Sequence, residues 1–461
     1  MAPSDVAKAK RYASLFPNEF QVTGGRLWCS FCNVKVSSKK KSQVDAHRRT
    51  GKHKRLMPPM PSISSATVSR DAITKDNFPR RVSEAFLAAD IPLKKLQNPK
   101  LKQLFEDLGH PLPSETTCRG KVDEIAKDVR CKIREVIEDE ETTGIFVVFD
   151  ETNIRSNSYA SVLLGTVDQP ETTYLAHTEI LENPINAQKA GTIIDNVLRS
   201  YKLPTQKVLL LISDAAKYMI KAGKNLNLFY TRMTHITCIS HLFHNAAMKI
   251  KEAFPKVDKI VATVKAATVK NKTRKGLFRS AGLQLPPQPV LTRWASWLNA
   301  AMYYAKNLNQ VRNIFEQMDD GGVLVNRAKK ALNCPIVEEH LFDITTNYCS
   351  ISRITEEETG INLTVEKSKE LISNLDFGND PCNLISYIKE RIKKNGISKL
   401  YDCSDTTIEP FVYAKLYHCQ STSISVERCF SILNKLLAKD RNFKPENIDN
   451  YLVCKYNSFL I

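Results

Sequence analysis

Two cysteines and two histidines near the start of the chain have the spacing of a metal site. In WCSFCNVKVSSKKKSQVDAHRRTGKH, residues 28–53, Cys29 and Cys32 form a C-x2-C knuckle, and His47 and His53 follow after gaps of fourteen and five residues. Two thiolates on a tight turn and two imidazoles one to two helical turns apart can close a tetrahedron around Zn2+. The spacing predicts a small finger with the Cys pair on a hairpin, the His pair on a helix, and Trp28, Val34, Val36 and Val44 as its core. A module of this size does not fold on apolar burial alone, so the metal supplies folding free energy. Four protein ligands leave no open position, so this zinc is structural and not catalytic.

A second chemistry rests on carboxylates at strand ends. Asp150 closes the apolar run GIFVVFD, and Asp214 closes VLLLISD. If those strands are parallel neighbours, about 4.8 Å apart, their C-terminal ends bring two carboxylates together at the sheet edge. Adjacent carboxylates repel and do not both ionise without a cation. Mg2+ or Mn2+ suits hard oxygen ligands, and a pair of such ions can cleave phosphodiesters. Asp after a strand is also an ordinary turn or cap residue.

The elements that must carry these residues follow from periodicity. Pro/Ser-rich residues 57–72 read as a linker after a finger at 1–56. In the helical region 73–142, Val82, Phe86 and Leu87 mark one helix. Leu101, Leu104, Phe105 and Leu108 mark a second, and Val122, Ile125, Val129, Ile133 and Val136 a third. From residue 144 the pattern gives three strands, a helix, a strand, a helix, a strand and the helix holding His241. That is the element order of an RNase H-like fold. The fold class is therefore an α/β (RNase H-like) core at 143–317, with largely α-helical flanking and C-terminal regions. Residues 292–308 read as one helix, while 318–405 are polar and lack a clear pattern. At the C-terminus, 406–461, Val426, Phe430, Leu433 and Leu437 form one stripe, and Ile448, Leu452, Tyr456 and Phe459 another.

Charge points to an anionic partner. Lys and Arg number 67 against 49 Asp and Glu, a net +18. Residues 1–60 hold thirteen bases and three acids, so +10 lies in the first eighth of the chain. Among them, Lys39, Lys40, Lys41, Arg48, Arg49, Lys52, Lys54 and Arg55 would flank the finger helix and meet phosphates, although none is assigned a base. A basic tail of this kind is also read as a solvated segment or a nuclear import signal. Only 16 glycines occur, and no nucleotide-cradling glycine loop is present. No apolar run approaches the roughly 20 residues of a membrane span, and the N-terminus has no apolar leader core. Twelve scattered cysteines suggest reduced thiols in cytosol or nucleus.

Three stretches then resemble the hAT-superfamily transposases: VFDETN around Asp150, LLISDAAKYM around Asp214, and STSISVERCFSILNKLLAKDRNFKPENI around Glu427. The resemblance runs over nearly the whole chain. It implies that Asp150, Asp214 and Glu427 are three metal-binding carboxylates and that the last helices serve homo-oligomerisation. It also implies that Cys238 and His241 form the family's C-x2-H pair, and that Arg293 and Trp294 match its Arg-Trp pair. Arg293 would meet a phosphate or carboxylate, and Trp294 would stack on an extruded base or pack with Trp297 into the core. His235, Cys238, His241 and His244 are alternatively read as a second zinc set. The chain departs from the family in lacking a Trp after the first Asp and in a short stretch between Trp294 and Glu427, where the resemblance implies that 318–405 is a shortened form of the family's helical insertion.

The finger is similar both to BED-type fingers of transposases and to H-x5-H fingers of RNA-binding proteins. Together with IPLKKLQNPKLKQLF (91–105) it resembles, more narrowly, the CGG triplet repeat-binding proteins, which are small nuclear regulators. The expected partner is double-stranded DNA in the nucleus, with no membrane and no small-molecule substrate. Two functions stay open: a transposase that cuts and joins DNA by a two-metal mechanism, and a non-catalytic DNA-binding regulator derived from one.

Overall fold

Chain segments fold where apolar periodicity meets a turn signal, and the computed structural model shows this in two compact units, Met1–Phe78 and Pro79–Ile461. It describes residues 8, 9, 13, 20–30, 32, 34–38, 41–50, 53, 77–269, 271–289, 296–318, 322–357, 363–375, 380, 382–394, 396–401, 409–437 and 445–461.

In the first unit, β1 (Phe20–Thr23), β2 (Arg26–Cys29) and β3 (Val34–Val36) form an antiparallel sheet in the order β1-β2-β3. Gly24 and Gly25, both at positive φ, make the two-residue turn between Thr23 and Arg26. Such a turn fits strand twist only with left-handed residues, which glycine supplies without strain. Helix α1 (Lys41–Arg49) follows. The core comprises Ala9, Phe20, Leu27, Val36 and Val44 with Cys29 and Cys32. Trp28, expected in this core, is only half-buried. Leu27 and Cys29 take the inner face of β2, and strand alternation turns Trp28 to the other face.

The second unit opens with α2 (Phe78–Ala88), α3 (Pro99–Asp107) and α4 (Glu115–Glu138). Val82, Phe86 and Leu87 of α2 are buried as their spacing predicts. In α4 the buried stripe ends on Ile137, while Val136 is half-buried. Helix α3 forms, started by Asn98, whose side chain accepts from Lys100 N and Leu101 N, and by Pro99 in the first turn. None of its residues is buried, so its i, i+3, i+4 stripe specifies a helix without specifying a core.

A five-stranded sheet comes next, in the order β6-β5-β4-β7-β8, from β4 (Ile145–Ile154), β5 (Asn157–Thr166), β6 (Tyr174–Leu181), β7 (Val208–Ser213) and β8 (Thr234–Thr237). The first three strands are antiparallel, whereas β4, β7 and β8 run parallel. Every residue of β7 and the first six of β4 are buried, which is the pattern of strands covered on both faces. Helices α5 (Ala187–Ser200), α6 (Lys217–Leu226) and α7 (Ile239–Ala253) alternate with β7 and β8.

Beyond α7 the described chain is almost wholly helical: α8 (Pro255–Thr268), α9 (Lys272–Ser280), α10 (Ser296–Glu316), α11 (Val323–Leu332), α12 (Ile336–Glu357), α13 (Val365–Ser373), α14 (Leu384–Lys394), α15 (Ser398–Tyr401), α16 (Pro410–Tyr417), α17 (Ile424–Leu436) and α18 (Ile448–Tyr456). The described parts of residues 318–405, which lacked a readable pattern, are thus mostly helical, joined by turns and one isolated bridge between Thr364 and Gln420. The stripe on α17 is Val426, Cys429, Phe430, Leu433 and Leu436, with Leu437 shifted to the cap position. Helix α18 buries Ile448, Tyr451, Leu452, Val453 and Cys454 against α4 and β6 of its own chain, while Phe459 is 59% exposed. The unit is therefore mixed α/β and mostly helical. No described helix is long and apolar enough to cross a membrane.

Candidate metal centres

Cys29 ends β2, Cys32 lies in the following turn, and His47 lies in the last turn of α1. His53 is brought back by Thr50. The Thr50 hydroxyl donates to the His47 carbonyl at 2.8 Å and accepts from the His53 N–H at 3.2 Å. One short side chain thereby fixes the spacing of both imidazoles. The ligand atoms of Cys29, Cys32, His47 and His53 all lie within 4.8 Å of one another. Sγ of Cys29 is 3.2 Å and Sγ of Cys32 3.5 Å from His53 Nδ1, and the Cys32 N–H donates to Cys29 Sγ at 3.4 Å. Phe20 stacks on His53 with ring centroids 6.2 Å apart. Two thiols and two imidazoles converging in this way fit a tetrahedral zinc. Of the basic residues expected on phosphate, Arg48 is half-buried on α1, which also contains Lys41 and Arg49. Lys39, Lys40, Lys52, Lys54 and Arg55 lie outside the described residues, as do Arg293 and Trp294.

The second cluster belongs to the five-stranded sheet. Val148 of β4 pairs with Ile212 of β7, and continuing that parallel register by two residues sets Asp150 beside Asp214. Asp150 does not end its strand, because β4 continues to Ile154 along β5. What ends near Asp150 is the pairing with β7, so the carboxylate stands where the two neighbours part. Ligand atoms of Asp150, His241 and Glu427 lie within 4.8 Å of one another. Asp214 joins them electrostatically, raising Asp150 and being coupled to His241.

Burial pushes the Asp150 carboxyl up to about 7, reinforced by Glu427 and Asp214 and opposed by His241. Burial likewise raises Asp214 and Glu427, each eased by His241. Burial alone would lower His241, but Cys238, Asp150 and Asp214 outweigh it and raise its pKa to about 9. Burial would raise the Cys238 thiol, yet its contacts with His241 and Ser423 bring it down. One oxygen of Asp150, Oδ1, accepts from the Glu151 N–H at 2.9 Å. Oδ2 of Asp150 and Oδ1 of Asp214 are buried without a hydrogen-bond partner among the described residues. Unsatisfied buried carboxylate oxygens are costly, and the ligand atoms of Asp150, His241 and Glu427 are close enough together to hold a metal ion.

Glu427 reaches this place through a pinned turn. The Cys238 N–H donates to the Ser213 carbonyl at 2.7 Å, and the Ile239 N–H to the Ser421 carbonyl at 3.0 Å. Ser423, the residue before α17, donates its N–H to Cys238 Sγ at 3.2 Å. Cys238 therefore ties β7, the start of α7 and the start of α17 together. The second zinc set read from His235, Cys238, His241 and His244 does not assemble. The His235 ring turns to the Ser213 hydroxyl at 2.9 Å and fills the space over Gly223. Sequence reasoning missed Thr50 and the His241–carboxylate grouping. A hydroxyl residue midway between two ligand histidines was the available signal for the first.

Comparison with known proteins adds one match. Residues 3–57 match the family described as CGGBP1 N-terminal domain. No curated protein matches the chain. The match contains all four Cys and His ligands and stops before residues 91–105. The first unit of this chain is thus CGGBP1-like, with a Cys2His2 set able to hold a structural zinc.

Proposed function

We propose that the protein is a nuclear zinc-finger protein that binds double-stranded DNA through its first unit. The observation that carries this reading is the convergence of Cys29, Cys32, His47 and His53 inside a stretch matching a CGGBP1-type domain. Zinc, when bound, fixes the turn holding the cysteines against α1. The protein groups then present a basic helix whose Lys41, Arg48 and Arg49 approach phosphates, flanked by Lys39, Lys40, Lys52, Lys54 and Arg55. Selection from a random duplex pool tests this. Wild type should enrich a common sequence, CG-rich repeats being the first candidates, and Cys29→Ser should enrich none. Equal enrichment by both proteins, or by neither, would count against the reading.

A second reading concerns the other unit, and the unpartnered oxygens of Asp150 and Asp214 favour it. Here the sheet is of RNase H-like type, and Asp150, Asp214 and Glu427 are the carboxylates of a DNA-cutting centre like that of hAT transposases. Mg2+ or Mn2+ would be held by these three residues and would supply Lewis acidity toward a phosphodiester. The strand order β6-β5-β4-β7-β8, with an antiparallel edge and parallel β4, β7 and β8, supports it. Asp150 and Asp214 would lie on adjacent strands, Glu427 would enter from α17, and His241 would offset negative charge beside them. Cys238 would position Glu427 and His241 without touching DNA. On this reading, oligomer contacts would lie in the C-terminal region. Since α18 spends its apolar face inside its own chain, such contacts would fall on other surfaces of 406–461. Nicking of a supercoiled plasmid in Mg2+ or Mn2+ by wild type, lost in both Asp150→Ala and Glu427→Ala, is the expected result. Nicking that survives in Asp150→Ala, or none by wild type, would leave the DNA-binding reading alone.

A further inference from the structure

The net charge of the chain sits in two blocks. Residues 249–279 hold ten Lys and Arg and two Asp and Glu, a net +8. With the +10 of residues 1–60, this equals the whole +18, so all the remaining residues together are neutral. The second block is one piece of structure: the end of α7, all of α8, and α9 up to Arg279, helices that pack consecutively. Helix α8 turns Val257, Ile260, Val261, Val264 and Ala267 inward against α11 and α12, and α9 is anchored by buried Phe278. Lys256, Lys259, Ala262 and Ala266 of α8 are exposed, as are Lys272 and Arg279 of α9, and Lys275 is half-buried.

The acids of the block do not cancel this charge. Asp258 accepts from Trp297 Nε1 at 2.9 Å and lies 3.6 Å from Lys251 Nζ. Some cations are also engaged: Lys249 lies over the Tyr387 ring, and Lys265 and Arg274 donate to backbone carbonyls. Lys256, Lys259, Lys272, Lys275 and Arg279 have no carboxylate within ion-pair distance among the described residues. Charge placed for solubility is spread over a surface and mixed in sign; here five uncompensated cations share one small helical layer.

We infer that α8 and α9 form a second nucleic-acid-binding surface, which takes the phosphate backbone of duplex DNA and acts independently of the finger. The stripe from Lys256 to Ala266 runs ~15 Å along the helix axis. Between and beyond the lysines it carries only the small residues Ala262, Thr263 and Ala266, so a phosphate backbone can approach closely. Single-stranded nucleic acid is held by aromatic platforms as well as charge. The block's aromatic residues, Phe254 and Phe278, are buried, which favours a duplex. Lysines acting as point charges position a backbone without reading bases. This inference does not rest on the finger or on the carboxylate centre.

Binding of the full-length protein to a random-sequence DNA duplex, followed by fluorescence anisotropy over a salt series, tests it. Three proteins are compared: wild type, a five-site variant (Lys256→Gln, Lys259→Gln, Lys272→Gln, Lys275→Gln, Arg279→Gln), and Cys29→Ser. Each phosphate contact contributes about 0.9 to the slope of log affinity against log salt. The five-site variant should therefore lower the slope by roughly 4 to 5 if each cation meets one phosphate, and Cys29→Ser should keep that share. Replacing the four lysines by Arg keeps the charge and should restore the slope, separating lost charge from lost folding. An unchanged slope in the Gln variant, or abolition of all binding by Cys29→Ser alone, would overturn the inference. Tighter binding of duplex RNA through the same five residues would overturn the assignment to DNA. Loss of sequence preference in Cys29→Ser concerns the finger only and leaves this surface untouched.

Discussion

The backbone N–H of Ser423 donates to the buried thiol sulfur of Cys238 at 3.2 Å, joining positions 185 residues apart. This bond holds the start of α17 against the start of α7, and with it Glu427 near Asp150 and His241. Cys238→Ala would leave the Ser423 N–H buried without a partner and open a small cavity. We expect a loss of about 1–3 kcal/mol, the usual cost of an unsatisfied buried donor, read as a lower urea midpoint at unchanged slope. Cys238→Ser, which restores an acceptor, should recover part of it. Equal midpoints for Cys238→Ala and wild type would show that the contact carries no weight.

Zinc removal should unfold the first unit and spare the second. Binding free energy of a structural zinc in a finger is on the order of 10–16 kcal/mol, far beyond what a core of five apolar residues supplies. A strong chelator should abolish dispersed amide signals from residues 20–53 while the five-stranded sheet stays protected from hydrogen exchange. One zinc per chain by mass spectrometry, and none in Cys29→Ser, is the accompanying expectation. Unchanged dispersion after complete metal removal would contradict it.

The C-terminal helix should be clasped more firmly at low pH than at high pH. Asp449 of α18 accepts from the Thr178 N–H at 2.7 Å, from Arg130 at 2.8 Å, and contacts His177 Nδ1 at 3.0 Å. Burial would lower His177, but Asp449, aided by Glu179 and opposed by Arg130, raises it above its ordinary 6.5. A raised folded value means the protonated form is the stabilising one. Its contribution is complete below pH 6.5 and fades as pH climbs through the raised value. His177→Gln should therefore cost stability near pH ~5.5 and little near pH ~9, measured by thermal melting at both. The same cost at both pH values would remove the imidazolium from the account.

Gly165 and Phe146 are cross-strand partners on β5 and β4. A Cβ at Gly165 would stand 2.2 Å from Phe146 Cζ, well inside contact distance. Gly165→Ala should cost about 1–3 kcal/mol through overpacking. Pairing it with Phe146→Leu should recover much of the loss, and a neutral single substitution would contradict the packing described.

Legibility in the sequence followed the strength of local signals. The apolar runs ending at Asp150 and Asp214 marked β4 and β7 because strands covered on both faces have no polar alternation to blur them. The C-x2-C knuckle marked the finger because few other arrangements use that spacing. The Gly24-Gly25 turn was equally readable, and overlooking it hid β1 and with it Phe20, the largest residue of the finger core. Residues 318–405 were opaque because, α12 apart, their helices are short, and they are polar on the outside and packed largely by neighbours far away in sequence. For α3 the period specified a helix, but period does not say whether a face is covered. The grouping of His241 with Asp150 and Glu427 depends on contacts between residues 91 and more apart, which spacing along the chain does not encode.

The finger's claim is tested most directly by titrating zinc into metal-free full-length protein in the presence of the duplex enriched by wild type, with excess random duplex as competitor. Sequence-preferring binding should return in step with the first equivalent of zinc and should not return in Cys29→Ser. Sequence-preferring binding that persists without metal, or that stays absent when one zinc is bound, would contradict the account.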